Sequence, residues 1–233
     1  MNDEPLTLSR SVEDYLKVIY ALTERGEPAS TSSIAEGLDV QPASVSGMVK
    51  RLAEAGFVEH LPYKGVRLTE GGTREALKIV RRHRILETYL SERLDYSWDD
   101  VHAEAERLEH AASDELIERM AAALENPRHD PHGAPIPTPA GDVETTNYAT
   151  LAEVAEGDEV EIRAVSDDDS ELLRFLESRG LMPRVRLVVE ERDPFEGPIT
   201  LKLAGPGEAL QRLGVDLARR IYVAPVRKTG GDE

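Results

Sequence analysis

The sequence predicts a mainly α N-terminal part that contains a winged helix-turn-helix, followed by a small barrel-like β domain. Three observations predict this fold class. Apolar residues recur at helical spacing through the first half of the chain, and a segment rich in proline and glycine interrupts that pattern near residue 126. Short strand-like runs separated by turns follow the interruption, as is typical of a small β domain.

The winged helix-turn-helix is predicted from the order of its elements. The run SRSVEDYLKVIYALTERGE has the apolar spacing of an amphipathic helix, TSSIAEGL forms a short second helix, and ASVSGMVKRLAEAG forms a third. Pro42 suits the first turn of the third helix. The run FVEHLPYKGVRLTEGG then predicts two short strands around a turn at Lys64 and Gly65, the position of a wing.

In such a domain the third helix enters the major groove and the wing contacts the backbone of DNA. Small and polar residues at the start of the helix can approach base edges, and basic residues can bind phosphate. The predicted DNA-binding residues are Gln41, Ala43, Ser44, Ser46, Gly47, Lys50, Arg51, Lys64 and Arg67. Winged helices also serve as protein-docking modules and as parts of enzymes, so this pattern favours DNA binding without proving it.

Further along the chain, two long helical stretches are predicted, from about Thr73 to Leu94 and from about Trp98 to Leu124. Beyond the interruption, the strand-like runs are GDEVEIRAV, RVRLVVEER, PITLKL and RRIYVAPV, with one short helix near Ser170–Ser178. The domains are predicted at residues 1–73, 74–140 with a proline-rich linker from 126, and 148–228.

Composition describes a soluble globular protein, with 40% apolar and 31% charged residues. No apolar run approaches the ~20 residues that cross a bilayer, so we expect a cytoplasmic protein without membrane association. The chain has no cysteine, which excludes disulfides and thiolate ligands. Any metal site must therefore use histidine, aspartate, glutamate or carbonyl oxygen.

The net charge of −17 would ordinarily argue against nucleic-acid binding. However, the acidic residues are spread along the chain and only 6 of the 28 basic residues are lysine, which favours a halophilic habitat. In molar salt the screening length falls to ~3 Å, so local contact geometry outweighs long-range repulsion. The negative net charge therefore does not exclude DNA binding.

The run VHAEAERLEHAASDEL carries a concentration of potential metal ligands. On a continuous helix, His102, Glu106, Glu109 and His110 fall within an arc of about 100° and form one face. Such a face is costly to bury unless a cation compensates it. In a chain this acidic, a solvated surface is the alternative interpretation.

A second pair, His83 and Glu87, lies at i and i+4 in VRRHRILETYL, and the first helix adds Asp14. Because the chain has only 6 histidines, the coincidence of two such motifs favours a metal site. The spacing lacks the HExxH order of zinc hydrolases, so an enzyme is not predicted.

Together, the helix-turn-helix, the two ligand-bearing runs and the linker motif PHGAPIP resemble the diphtheria toxin repressor and manganese transport regulator family of metal-activated transcriptional repressors. The resemblance spans nearly the whole chain. It implies a helical dimerisation domain after the winged helix-turn-helix, an SH3-like third domain, and a homodimer that binds a palindromic operator controlling genes of metal-ion homeostasis.

The resemblance also implies two metal sites. The primary site would comprise Asp14, Glu106, Glu109 and His110. The ancillary site would comprise His83, Glu87 and His102, joined by Asp168 and Glu171 from the third domain. His129 and His132 are interpreted as structural or solvent-exposed.

The resemblance leaves the metal open between Mn²⁺ and Fe²⁺. Asp14 and Glu106 match the manganese regulators, and hard oxygen ligands suit Mn²⁺. Lys17, however, stands where pure manganese regulators have a glutamate, and the three-domain architecture is that of the iron regulators. Mn²⁺ is favoured. A protein-docking adaptor and a metal-dependent hydrolase remain as remote alternatives.

Overall fold

The computed structural model describes residues 8–24, 26–61, 63–167, 169–204 and 210–226. The chain divides into two compact units. The first comprises the residues up to His83 together with 109–114 and 137–142. The second comprises residues 84–108, 115–136 and those from 143 onward.

The first unit begins with three helices and a two-stranded antiparallel hairpin. These elements are α1 (Arg10–Thr23), α2 (Thr31–Gly37), α3 (Pro42–Glu54), β1 (Val58–Leu61) and β2 (Gly65–Leu68). Ser30 caps α2, since its hydroxyl accepts the backbone N–H of Ser33 at 3.0 Å. Pro42 occupies the first turn of α3, where its missing N–H costs nothing. The predicted winged helix-turn-helix is therefore present.

One hydrophobic core holds these elements together. It contains Leu16 and Ile19 of α1, Ile34 of α2, and Val45 and Leu52 of α3, all at most 1% exposed. The hairpin and the following helix also contribute side chains to this core. Truncation of such a leucine or isoleucine to alanine typically costs ~2–5 kcal/mol. The position of the third helix is therefore fixed by α1 and α2.

Gly65 allows the hairpin to lie against the segment that follows α1. Its φ is +114°, and a Cβ at this position would lie 2.2 Å from the carbonyl oxygen of Ala29. Ala29 forms an antiparallel bridge with Val66, with N–O distances of 2.9 Å in both directions. Gly65 pairs with Leu61 as the first residue of β2, so the turn precedes it.

Three further helices follow, namely α4 (Glu70–Leu94), α5 (Val101–Leu108) and α6 (Asp114–Ala123). The start of α4 precedes the predicted one because the Thr69 hydroxyl accepts the N–H of Gly72 at 3.1 Å and caps the helix. The prediction of one helix from Trp98 to Leu124 was wrong. The chain leaves the helical conformation after Leu108 and re-enters it at Asp114.

The second unit contains a six-stranded antiparallel sheet in the order β3-β8-β4-β5-β6-β7. Its strands are β3 (Ala149–Thr150), β4 (Glu159–Val165), β5 (Arg186–Arg192), β6 (Ile199–Leu203), β7 (Leu210–Leu213) and β8 (Ile221–Pro225). Two helices interrupt them, α7 (Ser170–Ser178) and the short α8 (Val215–Ala218). The prediction of α7 was confirmed, whereas β3, β7 and α8 were not predicted.

Buried and more exposed side chains alternate along the strands, and the buried ones form the core of this unit. Val160 and Ile162 of β4, and Leu187 and Val189 of β5, point to the same interior and are at most 3% exposed. Trp98 belongs to the same core. Among the described helices, none has both the length and the apolarity required to span a bilayer.

Candidate metal centres and nucleic-acid interface

The first unit contains a cluster of side chains that could hold a metal ion, here named the primary cluster, formed by Asp14, Glu109 and His110. One potential ligand atom of each lies within 4.8 Å of the others. Asp14 lies on α1, whereas Glu109 and His110 lie in the turn that follows α5. The non-helical turn that interrupts the predicted helix therefore carries two of the three potential ligands.

His110 presents its Nε2 atom to the carboxylates. Its Nδ1 lies 2.6 Å from Glu13 Oε2, and a carboxylate only accepts, so the Nδ1 proton is assigned to this bond. Nε2 lies 2.8 Å from Asp14 Oδ1 and 3.4 Å from Glu109 Oε1, yet it is buried and makes no hydrogen bond. A lone pair facing carboxylate oxygens at these distances is repelled unless a proton or a cation lies between them.

The surroundings of Glu109 favour its ionised form. Burial of this fully buried carboxylate disfavours the charge, but the hydrogen bond with His83 and the charge of Lys17 outweigh that effect and lower the pKa of Glu109. The Nδ1 atom of His83 lies 2.7 Å from Glu109 Oε2 and 3.1 Å from Lys17 Nζ. The shorter contact assigns the Nδ1 proton to the bond with Glu109.

These observations fit a divalent cation at the primary cluster. Two carboxylates and one imidazole nitrogen converge, the imidazole is oriented by a third carboxylate, that of Glu13, and its inward nitrogen makes no hydrogen bond. A carboxylate that holds the far nitrogen of a ligating histidine is the usual arrangement around bound metals. The donor set of oxygen and imidazole suits Mn²⁺, Fe²⁺ or Zn²⁺.

The second unit contains another group, here named the second cluster, formed by Glu87, His132 and Asp167. Their potential ligand atoms also lie within 4.8 Å of one another. His132 Nε2 lies 2.9 Å from the carbonyl oxygen of Trp98 and donates to it, so Nδ1 carries the lone pair. That Nδ1 is buried, makes no hydrogen bond and lies 3.9 Å from Glu87 Oε1.

His132, interpreted from the sequence as structural or solvent-exposed, is fully buried and belongs to a group of side chains that could hold a metal ion. The loop that carries it is held by Asp130, whose Oδ1 accepts the backbone N–H groups of His132 and Ala134 at 2.9 and 3.0 Å. Burial, followed by the negative charge of Glu87, raises the pKa of Asp130 to about 7.

The remaining expected ligands occupy the following places. In the second unit, His102 Nδ1 lies 3.0 Å from Glu87 Oε1 and 3.9 Å from Asp167 Oδ2, and its Nε2 lies 3.8 Å from Glu106 Oε1. Glu171 is exposed in the first turn of α7, and Asp168 lies outside the described residues. Asp167, one residue before the predicted position, is the third-domain carboxylate that joins the second cluster.

The nine residues expected to contact DNA are all exposed. Gln41 precedes α3, the next six lie on α3, and Lys64 and Arg67 lie on the hairpin. Gly47 faces open space, since a Cβ there would meet no atom within 4 Å. An open shallow cavity of about 310 Å³ lies beside this surface, lined by residues that include Ser46, Lys50 and His60.

Three family models match successive parts of the chain. Residues 7–66 match the N-terminal DNA binding domain of the iron dependent repressor, and residues 69–138 match its metal binding and dimerisation domain. Residues 149–225 match the FeoA domain.

Similar whole proteins are found among both curated sequences and solved structures. The iron-dependent repressor IdeR of Mycobacterium bovis is 31% identical over 228 residues, which cover 93% of this chain and 97% of the relative. A structure described as a manganese-dependent transcriptional repressor in complex with manganese is 40% identical, with a TM-score of 0.86, and covers 92% of this chain and 100% of its own. The manganese regulator SloR is 35% identical, with a TM-score of 0.78 and coverages of 92% and 98%.

Proposed function

We propose, from the premise that this chain belongs to the iron-dependent repressor family, that it represses transcription by binding operator DNA when a divalent cation occupies the primary cluster. The observation that carries this proposal is the buried Nε2 of His110, which makes no hydrogen bond and faces the carboxylates of Asp14 and Glu109. A bound cation supplies the positive charge that holds these three ligands together.

The ligands can communicate with the DNA-binding surface through the first unit alone. Asp14 directly precedes Tyr15 and Leu16 of α1, which lie in the same hydrophobic core as Val45 and Val49 of α3. Fixing Asp14 against Glu109 and His110 therefore restrains the helix on which α3 packs. A cation that binds one arrangement of these elements better shifts the population toward that arrangement.

We propose Mn²⁺ as the physiological cation, with Fe²⁺ as the alternative. Carboxylate oxygens and imidazole nitrogen make up the primary cluster, and the chain has no cysteine to offer a softer ligand. Hard oxygen ligands favour Mn²⁺ on chemical grounds. The relatives include an iron-dependent repressor as well as manganese-dependent ones, so both metals belong in the experiment.

The second cluster is proposed as an ancillary site for the same cation, held by Glu87, His132 and Asp167. The assignments of Glu106, His83 and His102 as ligands stay predictions from the sequence, as do the domain boundaries at 1–73, 74–140 and 148–228. A homodimer is proposed on a palindromic operator, consistent with exposed apolar side chains at Leu94 and Leu116.

The test is a titration of DNA binding by the full chain with Mn²⁺, Zn²⁺ and, under anaerobic conditions, Fe²⁺, at high salt. The duplex is one enriched by the metal-loaded protein from a random library. Activation by Mn²⁺ at concentrations where Fe²⁺ is inactive supports the manganese assignment, and equal or stronger activation by Fe²⁺ favours the alternative.

Substitutions then show which residues are required for metal-dependent DNA binding. Glu109→Gln and His110→Ala should each abolish metal-dependent binding, whereas His129→Ala, at a histidine outside both clusters, should leave it unchanged. A metal response retained by both Glu109→Gln and His110→Ala would rule out the primary cluster as the sensor.

A further inference from the structure

Lys17 extends its ammonium group into the primary cluster. It lies one turn after Asp14 on α1, and its Nζ lies 2.9 Å and 3.1 Å from the two carboxylate oxygens of Glu109. The same Nζ lies 3.1 Å from Nδ1 of His83. The positively charged ammonium group of Lys17 therefore already contacts the Glu109 carboxylate that a metal ion would use.

The burial of this pair makes the contact energetically important. The Glu109 side chain is 0% exposed and that of Lys17 is 18% exposed. A buried carboxylate that loses its positive partner is strongly destabilising, because its charge is then left uncompensated. Together with the hydrogen bond between Glu109 and His83, the charge of Lys17 makes an ionised Glu109 tolerable without metal.

The ammonium group and a metal ion would compete for the same oxygen atoms. Glu109 Oε1 lies 3.4 Å from His110 Nε2, on the side of the primary cluster, and 3.1 Å from Lys17 Nζ. Both atoms of one carboxylate contact Lys17, so a metal that draws on this carboxylate weakens the ion pair. Two cations sharing one carboxylate also repel each other.

We propose that Lys17 is a resident cation that competes with the metal for Glu109 and thereby raises the metal concentration at which the primary cluster fills. This inference rests on the proposed function, since it assumes that the cluster binds a divalent cation. Lys17 then determines the threshold of the sensor without being a ligand. In the metal-free protein it stabilises the ligand geometry, and in the metal-bound protein it is dispensable.

The test compares Lys17→Met and Lys17→Gln with the wild-type chain. Lys78→Gln, which removes the same charge from an exposed lysine paired with Glu75 on α4, is the matched control. Binding of Mn²⁺ alone is measured from the electron paramagnetic resonance signal of free Mn²⁺. The melting temperature is measured in chelator and in excess Mn²⁺.

Both Lys17 variants should bind Mn²⁺ more tightly, by about tenfold or more, because loss of one partner leaves a buried carboxylate uncompensated only in the metal-free state. Their melting temperatures should fall in chelator, and the rise produced by Mn²⁺ should exceed that of the wild type. Lys78→Gln should match the wild type in both measurements.

Unchanged or weaker Mn²⁺ binding by the Lys17 variants, with normal binding by the wild type, would overturn the inference and leave the proposed function intact. Absence of binding by the wild type and all variants would refute both. If the Lys17 variants do not fold in the presence of a chelator, their refolding is measured as a function of added Mn²⁺. Recovery of the fold supports the inference, and failure at saturating Mn²⁺ overturns it.

Discussion

Glu13 and His110 form a carboxylate–imidazole pair in which Oε2 of Glu13 lies 2.6 Å from Nδ1 of His110. The second oxygen of Glu13 lies 3.2 Å from the guanidinium of Arg82, so the carboxylate is held from both sides. Because Nδ1 is occupied in this way, Nε2 is the nitrogen that faces Asp14. Glu13 is therefore a positioning residue for the primary cluster.

We expect Glu13→Gln to weaken Mn²⁺ binding by ~10–100-fold, the usual effect of losing a carboxylate behind a ligating histidine. The amide oxygen of glutamine can still accept the hydrogen bond from Nδ1–H of His110 but carries no charge, so the fold should persist. Glu24→Gln, at an exposed glutamate just beyond the end of α1, is the control. Equilibrium dialysis against Mn²⁺ measures the change, and an affinity equal to the wild type would contradict the positioning role.

The second cluster can be followed with the single tryptophan of the chain. Trp98 Nε1 donates to the carbonyl oxygen of Pro131 at 3.0 Å, and the rings of Trp98 and His132 are 5.3 Å apart. We expect Mn²⁺, which is paramagnetic, to quench Trp98 fluorescence when it binds His132.

His132→Ala should abolish this quenching and lower the binding stoichiometry by one ion per chain, while the primary cluster keeps its affinity. His129→Ala serves as the matched control, because His129 lies in the same loop outside the second cluster. Quenching that survives His132→Ala would place the responsible ion elsewhere.

The raised pKa of Asp130 predicts that the stability of the metal-free protein depends on pH. Burial raises its pKa from 3.8 to about 7, so between these values the folded protein binds more protons than the unfolded chain. Stability should therefore fall as the pH rises through this window and level off above pH ~7. The neighbouring guanidinium of Arg84, 3.5 Å away, moderates the effect without reversing it.

Asp130→Asn keeps an oxygen for the two backbone N–H groups and removes the ionisation. Chemical denaturation in chelator from pH 5 to 8 should show a smaller decline with pH for this variant than for the wild type. Parallel curves for the two proteins would mean that Asp130 stays charged throughout.

Substitutions of the residues predicted to contact DNA should affect DNA binding in two different ways. Lys64→Ala should weaken binding to operator and unrelated DNA by similar factors and reduce the slope of log affinity against log salt by about 1, because a phosphate contact is lost. Gln41→Ala should change the preferred bases with little change in that slope. Competition binding over a salt series measures both, and a selective loss for the operator in Lys64→Ala would contradict the assignment.

Local patterns were sufficient to predict α1 to α3, the hairpin and α7, since periodicity, caps and turn residues act over a few positions. Asp14, Glu109 and His110 were also singled out together, and the structure brings them together. The break before Glu109 was missed because no proline or glycine marks it. Ser113, followed by two acidic residues, is the helix-start signal that could have been recognised.

The surroundings of His132 could not be predicted, for a different reason. Its burial depends on contacts with Trp98 and Glu87, far away in the sequence, and a proline-rich loop has no periodicity that reveals an interior face. Asp167 is a related case, because a run of consecutive aspartates has no periodicity that would predict which carboxylate lies near Glu87 and His132.

Gly65 and Gly47 have opposite consequences for how this repressor can evolve. Every missense change in a glycine codon adds a Cβ, and at position 65 that atom would collide with the backbone of Ala29 at 2.2 Å. Any substitution of Gly65 would therefore disrupt the packing of the hairpin against Ala29. On α3, a side chain added at position 47 would enter open space. Single-nucleotide changes can therefore add a side chain at position 47, which is proposed to contact DNA, without a steric clash.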